Sequence, residues 1–469
     1  MIKISKLTTP FTHKILTSPV GTLFNNKLFE WVKNKNLPGE FKTAKVGAAV
    51  RAEGDNLEAF LSYLDVSPGD LKQDELTRIE KGLSEFREVR REYLDLKERW
   101  DEAFWGGKSV VDNDTLVELE EKRRELSEKC RKPTSSLGFL AKKNFTPVVN
   151  FEIPSPEETL NNWAKEIEDP GKIYGPPAKS PQIRESATVE GPSGPEYLIK
   201  FASPASLMDD TVHARVYEPN KSVKEPPSFV FASGLGMMND SIQYWPEEEY
   251  IGRYLASRGF RVVLIESPWH GRREKEGHYS GEPYVGTAPV GLFTLYSAQT
   301  QETGSIIEWL RTKGTSAVGV GGVSLGGIVS EHIAGRCENY PRSARPDMAL
   351  LVATSNRIKD VVLRSEISKS LGLDEAIEAA GWEEEDLAKL KPLLDPPDDP
   401  GISPKRVFGV FGENDTYIPY EYSMEMMKSW GVPDKNVTTW DSGHFGVLTR
   451  SIRKTDLQEI LIDNMKQVE

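Results

Sequence analysis

The sequence predicts an α/β protein, with a mostly parallel eight-stranded sheet flanked by helices and a helical extension before it. From about residue 197 onward, short β-branched runs alternate with helical segments, as expected for strands joined by crossover helices. Residues 70 to 131 instead repeat apolar side chains at helical spacing. A Pro- and Gly-rich run at 169–195 separates the two patterns. We therefore predict a mainly helical extension at 1–180 and a second domain at 181–469.

Composition excludes two broad classes of protein. The chain has 469 residues and a formal net charge of -13, which argues against nucleic acid as a partner because phosphate binding needs clustered basic side chains. Charges or prolines interrupt every apolar stretch, so no transmembrane segment is predicted. Cys130 and Cys337 lie far apart without His or Cys neighbours at ligand spacing, so neither a disulfide framework nor a metal site is expected.

The N-terminal segment is acid-poor but does not resemble a secretory signal. It carries Lys3, Lys6 and Lys14, no acid before Glu30, and no continuous apolar core followed by a cleavage site. These features predict a cytoplasmic protein, with organellar targeting left open as the alternative.

The helical extension is predicted to contain an antiparallel hairpin. Gly106 and Gly107 end a long amphipathic helix, and Asp112 or Asp114 can cap a second helix that Pro133 stops. Packing of this hairpin against the rest of the chain is the favoured interpretation. Because such spacing also occurs in coiled coils, a homodimer formed through these helices is the alternative.

The second domain is predicted to contain eight strands and five helices. The strands are YLIKF (197–201), HARVY (213–217), SFVFA (228–232), RVVLIE (261–266), AVGVGGV (317–323), MALLVAT (348–354), RVFGVF (406–411) and VTTW (437–440). The helices are 249–258, 293–313, 325–334, 422–430 and 447–465. The helical, acidic segment at about 356–400 interrupts this alternation and is interpreted as an inserted cap.

The strongest local motif surrounds Ser324. The run Gly-Val-Ser-Leu-Gly at 322–326 follows an apolar strand and precedes a helix. A serine on such a sharp strand-to-helix turn needs small residues two positions before and after it, and Gly322 and Gly326 meet this need. The helix N-terminus would also stabilise negative charge at the serine. Ser324 is therefore the candidate nucleophile.

A nucleophilic serine needs a histidine base and a carboxylate that orients it. His444 follows the last predicted strand in a Gly-flanked loop, whereas His332 lies about two turns beyond Ser324 and is interpreted as structural. Asp415, directly after the RVFGVF strand, has the position expected for the acid, with Glu413 as the main rival. Asp441 is a weaker candidate.

Acyl transfer also needs backbone donors for an oxyanion. The N–H of Leu325, next to the nucleophile, is the first candidate. The second is the N–H of Leu235 in the Ser-Gly-Leu-Gly run at 233–236, which follows the third strand. A plain glycine turn is the alternative there.

Several further residues have two open interpretations each. Trp269 and His270 either reach the substrate or brace the floor of the site, and Arg272 and Arg273 either bind an anion or are solvated. Four large apolar residues either line a pocket or pack in the core, namely Met237, Met238, Trp245 and Trp382.

These motifs together resemble the α/β-hydrolase superfamily over about residues 197–469. GVSLG, the acid loop GENDTYIP, the SGH turn and SGLG occur in the order of that superfamily. The resemblance implies an α/β-hydrolase fold with a cap after the sixth strand. FASP near 201, IESPWHGRR near 266 and DTYIP also resemble the group named α/β-hydrolase domain-containing protein 18, although the oxyanion loop departs from that group.

The expected function is that of a serine hydrolase acting on a small-molecule acyl substrate, with a lipid-like ester among the options. No metal or organic cofactor is expected for this chemistry. A thioesterase and a carbon–carbon bond hydrolase are alternatives that use the same three residues. A non-catalytic ligand-binding protein on the same fold is the alternative from a different class.

Overall fold

The computed structural model describes residues 27–107, 111–131, 136–143, 147–191, 194–220, 223–236 and 246–467. The acid-poor segment 1–24 and the pocket candidates Met237, Met238 and Trp245 lie outside these residues. Among the described helices, none combines the length and the apolar character that crossing a bilayer requires.

The described strands form one ten-stranded sheet. The strands are β1 (Arg184–Glu185), β2 (Val189–Gly191), β3 (Gly194–Ala202), β4 (Thr211–Tyr217), β5 (Ser228–Ala232), β6 (Arg261–Ile265), β7 (Val318–Val323), β8 (Met348–Val352), β9 (Val407–Gly412) and β10 (Val437–Trp440). Their order is β1-β3-β4-β6-β5-β7-β8-β9-β10, with β2 also paired to β3. In this order, the pairs from β6 to β10 are parallel. The pairs β4–β6, β3–β4, β1–β3 and β2–β3 are antiparallel.

The predicted count of eight strands is wrong by two, because the Pro- and Gly-rich run contains β1 and β2. Both pair antiparallel with β3, at Arg184↔Lys200 and Val189↔Glu196. Edge strands of two and three residues leave room for prolines on either side. Gly194, the first residue of β3, has φ 135°, and a Cβ there would lie 2.5 Å from the carbonyl oxygen of Glu218. This close approach of two backbone segments requires glycine.

The helices before the sheet include five that the sequence pattern did not predict, of which α1 is the longest. They are α1 (Lys27–Glu53), α2 (Leu57–Tyr63), α3 (Gln73–Trp105), α4 (Asn113–Arg131), α5 (Pro156–Asn162), α6 (Ala164–Glu168) and α7 (Gly171–Tyr174). Pro38 lies inside α1, and a proline followed by a glycine normally reads as a break. The predicted hairpin is present as α3 and α4. A hydrogen bond connects the two helices, in which Trp100 Nε1 donates to Glu120 Oε2 at 2.8 Å. Asp112 caps α4 by accepting from Thr115 N.

The later helices follow the predicted alternation, with one break. They are α8 (Pro246–Ser257), α9 (Glu282–Gly286), α10 (Val290–Thr312), α11 (Leu325–Arg336), α12 (Ile358–Arg364), α13 (Glu366–Leu371), α14 (Leu373–Ala379), α15 (Glu384–Lys389), α16 (Lys391–Leu394), α17 (Tyr420–Ser429), α18 (His444–Lys454) and α19 (Asp456–Met465). The single helix expected at 447–465 is two, because Thr455 adopts φ 51° between them. Helices α12 to α16 occupy the segment predicted as a cap.

The sheet is buried on both faces. Along β5, Val230 and Ala232 belong to the core cluster that includes α10 and α11, whereas Phe229 and Phe231 belong to the cluster that includes α8, α18 and α19. This alternation follows from the period of two along a strand. It leaves the carboxyl ends of β5 and β7 to β10 as one shared edge on which loops can meet.

Candidate active site

Ser324 lies at the carboxyl end of β7 and directly before α11. Its backbone has φ 54° and ψ -117°, a region that costs a non-glycine residue about 1–3 kcal/mol. Its N–H donates to Val352 O at 2.9 Å, and its carbonyl accepts from Ile328 N at 2.9 Å. The turn is thus tied to β8 on one side and to the first turn of α11 on the other.

The glycines around Ser324 are required by close packing. A Cβ on Gly326 would lie 2.2 Å from the carbonyl oxygen of Ala232 at the end of β5. A Cβ on Gly322 would lie 2.3 Å from the carbonyl carbon of Gly326. Real side chains do not make such contacts. The strand-to-helix turn can therefore form only with glycine at both positions.

Asp415 and His444 are in hydrogen-bond contact. His444 Nδ1 lies 2.7 Å from Asp415 Oδ2, and both residues are buried. Asp415 Oδ1 accepts from the backbone N–H groups of Tyr417 and Ile418, each at 2.9 Å. With both of its oxygens bonded, the carboxylate is fixed in orientation, and it assigns the donor role to Nδ1 of the imidazole.

The rival acids do not contact His444. Glu413 is exposed and accepts from Thr439 Oγ1 at 2.9 Å. Asp441 Oδ1 accepts from Asn414 Nδ2 at 2.8 Å. The geometry therefore places only Asp415, of these three, against the imidazole.

His444 is the first residue of α18, rather than part of a loop as predicted. Its N-cap is Gly443, at φ -90° and ψ -168°, which other residues also adopt. The backbone conformation therefore does not require glycine at this position. Burial alone would lower the pKa of His444, but the charges of Asp415 and Glu30 outweigh it and raise the pKa above its ordinary value.

Ser324 and the Asp415–His444 pair lie at the same edge of the sheet. Ser324 follows β7, and Asp415 follows β9, with β8 between them. Two strand spacings amount to about 10 Å, so a contact between Ser324 and His444 requires the loops after β9 and β10 to lean toward β7. Among the described residues, no hydrogen bond joins Ser324 Oγ to His444. Contacts of this kind are often long without substrate and shorten when it binds.

The two candidate oxyanion donors lie on adjacent segments. Leu325 N is in the first turn of α11, and the Ser233 carbonyl would lie 2.7 Å from a Cβ on Gly326. Leu235 follows in that same loop, where Gly236 adopts φ 72°. Within the described part of the chain, no hydrogen bond occupies the N–H of Leu325 or Leu235. The end of β5 therefore faces the turn that carries Ser324.

The residues after β6 pack against the loop that contains Leu235. His270 is fully buried, with Nδ1 2.8 Å from Pro268 O, and burial lowers its pKa to about 4. Its Nε2 and Leu235 Cδ1 both border the position of a Cβ on Gly281. Trp269 adopts φ 62° and packs against the core. This segment therefore braces the loop that contains Leu235.

The arginines and the second histidine make internal contacts. Arg273 pairs with Glu302 and Asp210, each at 2.8 Å, and Arg272 pairs with Glu266 at 2.6 Å. His332 is buried between aromatic rings, with Nε2 3.2 Å from Leu394 O. Trp382 is buried and donates to Pro154 O at 2.8 Å. All of these side chains serve packing or ion pairing.

The N-terminal helix α1 reaches this site, which the sequence pattern did not indicate. Glu30 Oε1 accepts from Gly446 N at 2.6 Å. Further along the same helix, Phe41 lies 5.6 Å from Tyr279 between ring centroids and next to Gly236. Glu30 and Phe41 are eleven residues apart, a rise of about 16 Å. Helix α1 thus runs from the histidine turn to the loop after β5.

The strand order and the strand-to-helix turn at Ser324 define an α/β-hydrolase fold. Residues 199–358, about a third of the chain, match the family model described as alpha/beta hydrolase domain containing 18. This match confirms the predicted resemblance to the superfamily and to that group. No curated protein sequence matches the chain.

Solved structures similar to the chain share its fold class at low identity. Acetyl xylan esterase 1 from Thermoanaerobacterium sp. JW/SL YS485 is 16% identical, covering 68% of this chain and 96% of that one, with a TM-score of 0.45. Acylaminoacyl peptidase from Pyrococcus horikoshii is 16% identical, covering 60% and 40%, with a TM-score of 0.39. TT1662 from Thermus thermophilus is 17% identical, covering 55% and 94%, with a TM-score of 0.36.

Proposed function

We propose that the chain is a serine hydrolase that cleaves an ester or related acyl bond through Ser324, His444 and Asp415. The observation that carries this proposal is the 2.7 Å contact between His444 Nδ1 and Asp415 Oδ2. It lies at the same sheet edge as a serine with φ 54°. A buried carboxylate that fixes the tautomer of a histidine leaves Nε2 as the base.

The reaction begins with proton transfer. Nε2 of His444 takes the proton of Ser324 Oγ as the oxygen attacks the acyl carbonyl carbon. The carbonyl π electrons move to oxygen and form a tetrahedral oxyanion. Asp415 stabilises the imidazolium through its hydrogen bond to Nδ1. The raised pKa of His444 supports this step, because it strengthens the base that accepts the proton.

The oxyanion is stabilised by backbone donors. The N–H groups of Leu325 and Leu235 are the two proposed donors, and the N-terminal end of α11 adds the positive end of a helix dipole. Each donor of this type contributes about 3–4 kcal/mol to the transition state. Leu235 is kept in place by the packing of His270 and Gly281 beneath it.

The leaving group and the acyl enzyme are released in two steps. The tetrahedral intermediate collapses, its bond to the leaving alcohol breaks, and His444 Nε2 returns the proton to that oxygen. Water then attacks the acyl enzyme with His444 again as base. The products are the free acid and Ser324 with its hydroxyl restored.

Hydrolysis of an activated aryl ester, such as a p-nitrophenyl ester, tests the proposal. We expect Ser324→Ala to lower turnover by at least 10³-fold, and the unfolding midpoint to stay close to that of the wild type. Ser343→Ala is the matched control, since Ser343 is exposed and contacts Glu308 away from the sheet edge. Full turnover in Ser324→Ala would remove this serine from the mechanism.

A further inference from the structure

The helix that carries His444 lacks a capping side chain of its own. Helix α18 begins at His444, and its N-cap is Gly443, which has no side chain to accept a hydrogen bond. The first N–H groups of a helix have no partner within the helix and need acceptors from elsewhere. Any movement of this first turn moves the imidazole with it.

Glu30 supplies the missing acceptor from the other end of the chain. Its Oε1 accepts from Gly446 N, in the first turn of α18, at 2.6 Å. A carboxylate is also favoured there by the helix dipole. The contact joins residues that are 416 positions apart in sequence.

Gly443 makes room for this carboxylate. A Cβ on Gly443 would lie 2.6 Å from Glu30 Cδ, whereas a Cβ on Gly446 would meet Ser442 Cβ first, at 2.8 Å, and Glu30 Oε1 at 3.3 Å. Since the backbone of Gly443 does not itself require glycine, the close approach of Glu30 explains this residue. The turn is therefore shaped around the acid.

The charge of Glu30 affects the pKa of the His444 imidazole. Burial raises the pKa of Glu30, while the hydrogen bond from Gly446 and the charge of His444 oppose that rise. In return, Glu30 is one of the two acids that raise the pKa of His444. The other groups around this cluster are Asp415, Tyr417, which stacks on His444, Glu366, and Lys33, which lies over Phe445.

We propose that Glu30 is a positioning residue, which fixes His444 by capping the helix on which the histidine stands. The negative charge of Glu30 also keeps His444 protonated to higher pH than Asp415 alone would. This inference rests on the proposed function, because it assigns Glu30 to the same base. It makes helix α1 part of the hydrolytic site.

Two variants separate the hydrogen bond from the charge. Glu30→Gln keeps an oxygen that can accept from Gly446 but removes the charge. Its rate of fluorophosphonate labelling should rise with pH around a midpoint that is about 0.5–1 pH unit lower than in the wild type. Glu30→Ala removes both, and its labelling rate at the plateau should fall about ten- to a hundredfold.

Glu53→Gln is the matched control. Glu53 ends the same helix and is half-buried, and its replacement changes net charge equally at about 34 Å along the helix axis. The pH midpoint of labelling in Glu53→Gln should equal that of the wild type. Unfolding midpoints of all three variants show whether they fold. If Glu30→Ala does not fold, Glu30→Gln still tests the proposal.

Direct titration of the imidazole distinguishes this inference from the proposed function. NMR of isotope-labelled histidine, assigned with His444→Gln, reads the pKa of His444 even in a chain that does not react with the probe. A lower pKa in Glu30→Gln supports the proposal. An unchanged or higher pKa, an equal shift in Glu53→Gln, or an unchanged plateau in Glu30→Ala would overturn it.

Discussion

The turn at Ser324 and the turn at His444 are built in different ways. Ser324 is held by its own neighbours, since Gly322 and Gly326 pack against each other and against the end of β5. His444 is held by distant residues, since Asp415 comes from the loop after β9 and Glu30 from helix α1. Both turns therefore depend on tertiary contacts, but the Ser324 turn is packed within the sheet and its adjoining helix, whereas the His444 turn also contacts helix α1.

This difference has a consequence for function. The Ser324 turn contacts the ends of β5 and β8 and the first turn of α11. The histidine turn is also contacted by Glu30 of α1, so a helix that precedes the sheet in sequence reaches the candidate site. Lys45 of α1 also forms a buried ion pair with Glu282 at 2.6 Å, a second contact between α1 and the residues that follow the first strands of the sheet.

The largest expected effect concerns Asp415, the carboxylate that contacts His444. Asp415→Asn should lower ester turnover about 10⁴-fold, because the amide favours the wrong imidazole tautomer. Glu413→Gln is the control and should leave turnover near that of the wild type, since Glu413 is exposed and bonds Thr439. Initial rates of p-nitrophenyl ester hydrolysis measure both. Similar losses in the two variants would refute the assignment of the acid.

A pair of glycine substitutions tests the comparison most specifically. Gly326→Ala places a Cβ 2.2 Å from the carbonyl oxygen of Ala232, and backbone cannot move aside cheaply. We expect it to destabilise the chain by about 2–3 kcal/mol or more. Denaturant unfolding measures this change. Wild-type stability in Gly326→Ala would contradict the packing described for the Ser324 turn.

The second glycine of this pair should behave differently. In Gly443→Ala the new Cβ would lie 2.6 to 2.8 Å from Cδ, Cγ and Oε1 of Glu30, a flexible side chain that can rotate away. We expect a stability loss of at most about 1 kcal/mol but a labelling rate lowered like that of Glu30→Ala. If Gly443→Ala labels at the wild-type rate, the Glu30 contact is not needed for the base.

The last prediction concerns a buried acid on the helix that follows Ser324. Glu331 on α11 is fully buried, and burial raises its pKa well above the ordinary value. An acid with a raised folded pKa stabilises the chain at low pH and loses that stability as pH rises above its unfolded pKa, by up to about 1.4 kcal/mol per pH unit. Glu331→Gln should weaken this fall. Denaturant unfolding at pH 5 and pH 8 measures it, and equal pH dependence in both chains would contradict the prediction.

The sequence predicted the sheet domain well, because its strands are apolar β-branched runs and its key turn is a local motif. The strands at 228–232 and 437–440 have the predicted bounds. The misses lie where local rules conflict with tertiary contacts. Helix α1 contains Pro38, and β1 and β2 lie in a run that normally breaks strands. The break between α18 and α19 at Thr455 also occurs without a glycine or proline that would indicate it in the sequence.

The candidate site shows the same division. The pairing of Asp415 with His444 follows from the order of strands and motifs along the chain. Glu30 could not be predicted, because nothing in the sequence indicates which distant residue its carboxylate contacts. The available signal was Gly443, whose neighbour is revealed only by the fold.

Peptide mapping after fluorophosphonate labelling tests the central claim most directly. The wild-type chain is labelled, digested with a protease, and analysed by mass spectrometry. We expect one phosphonyl group per chain, on Ser324, and none after replacement of His444 by Gln under the same conditions. A modified residue other than Ser324 would contradict the account, as would ester hydrolysis by a chain on which Ser324 remains unmodified.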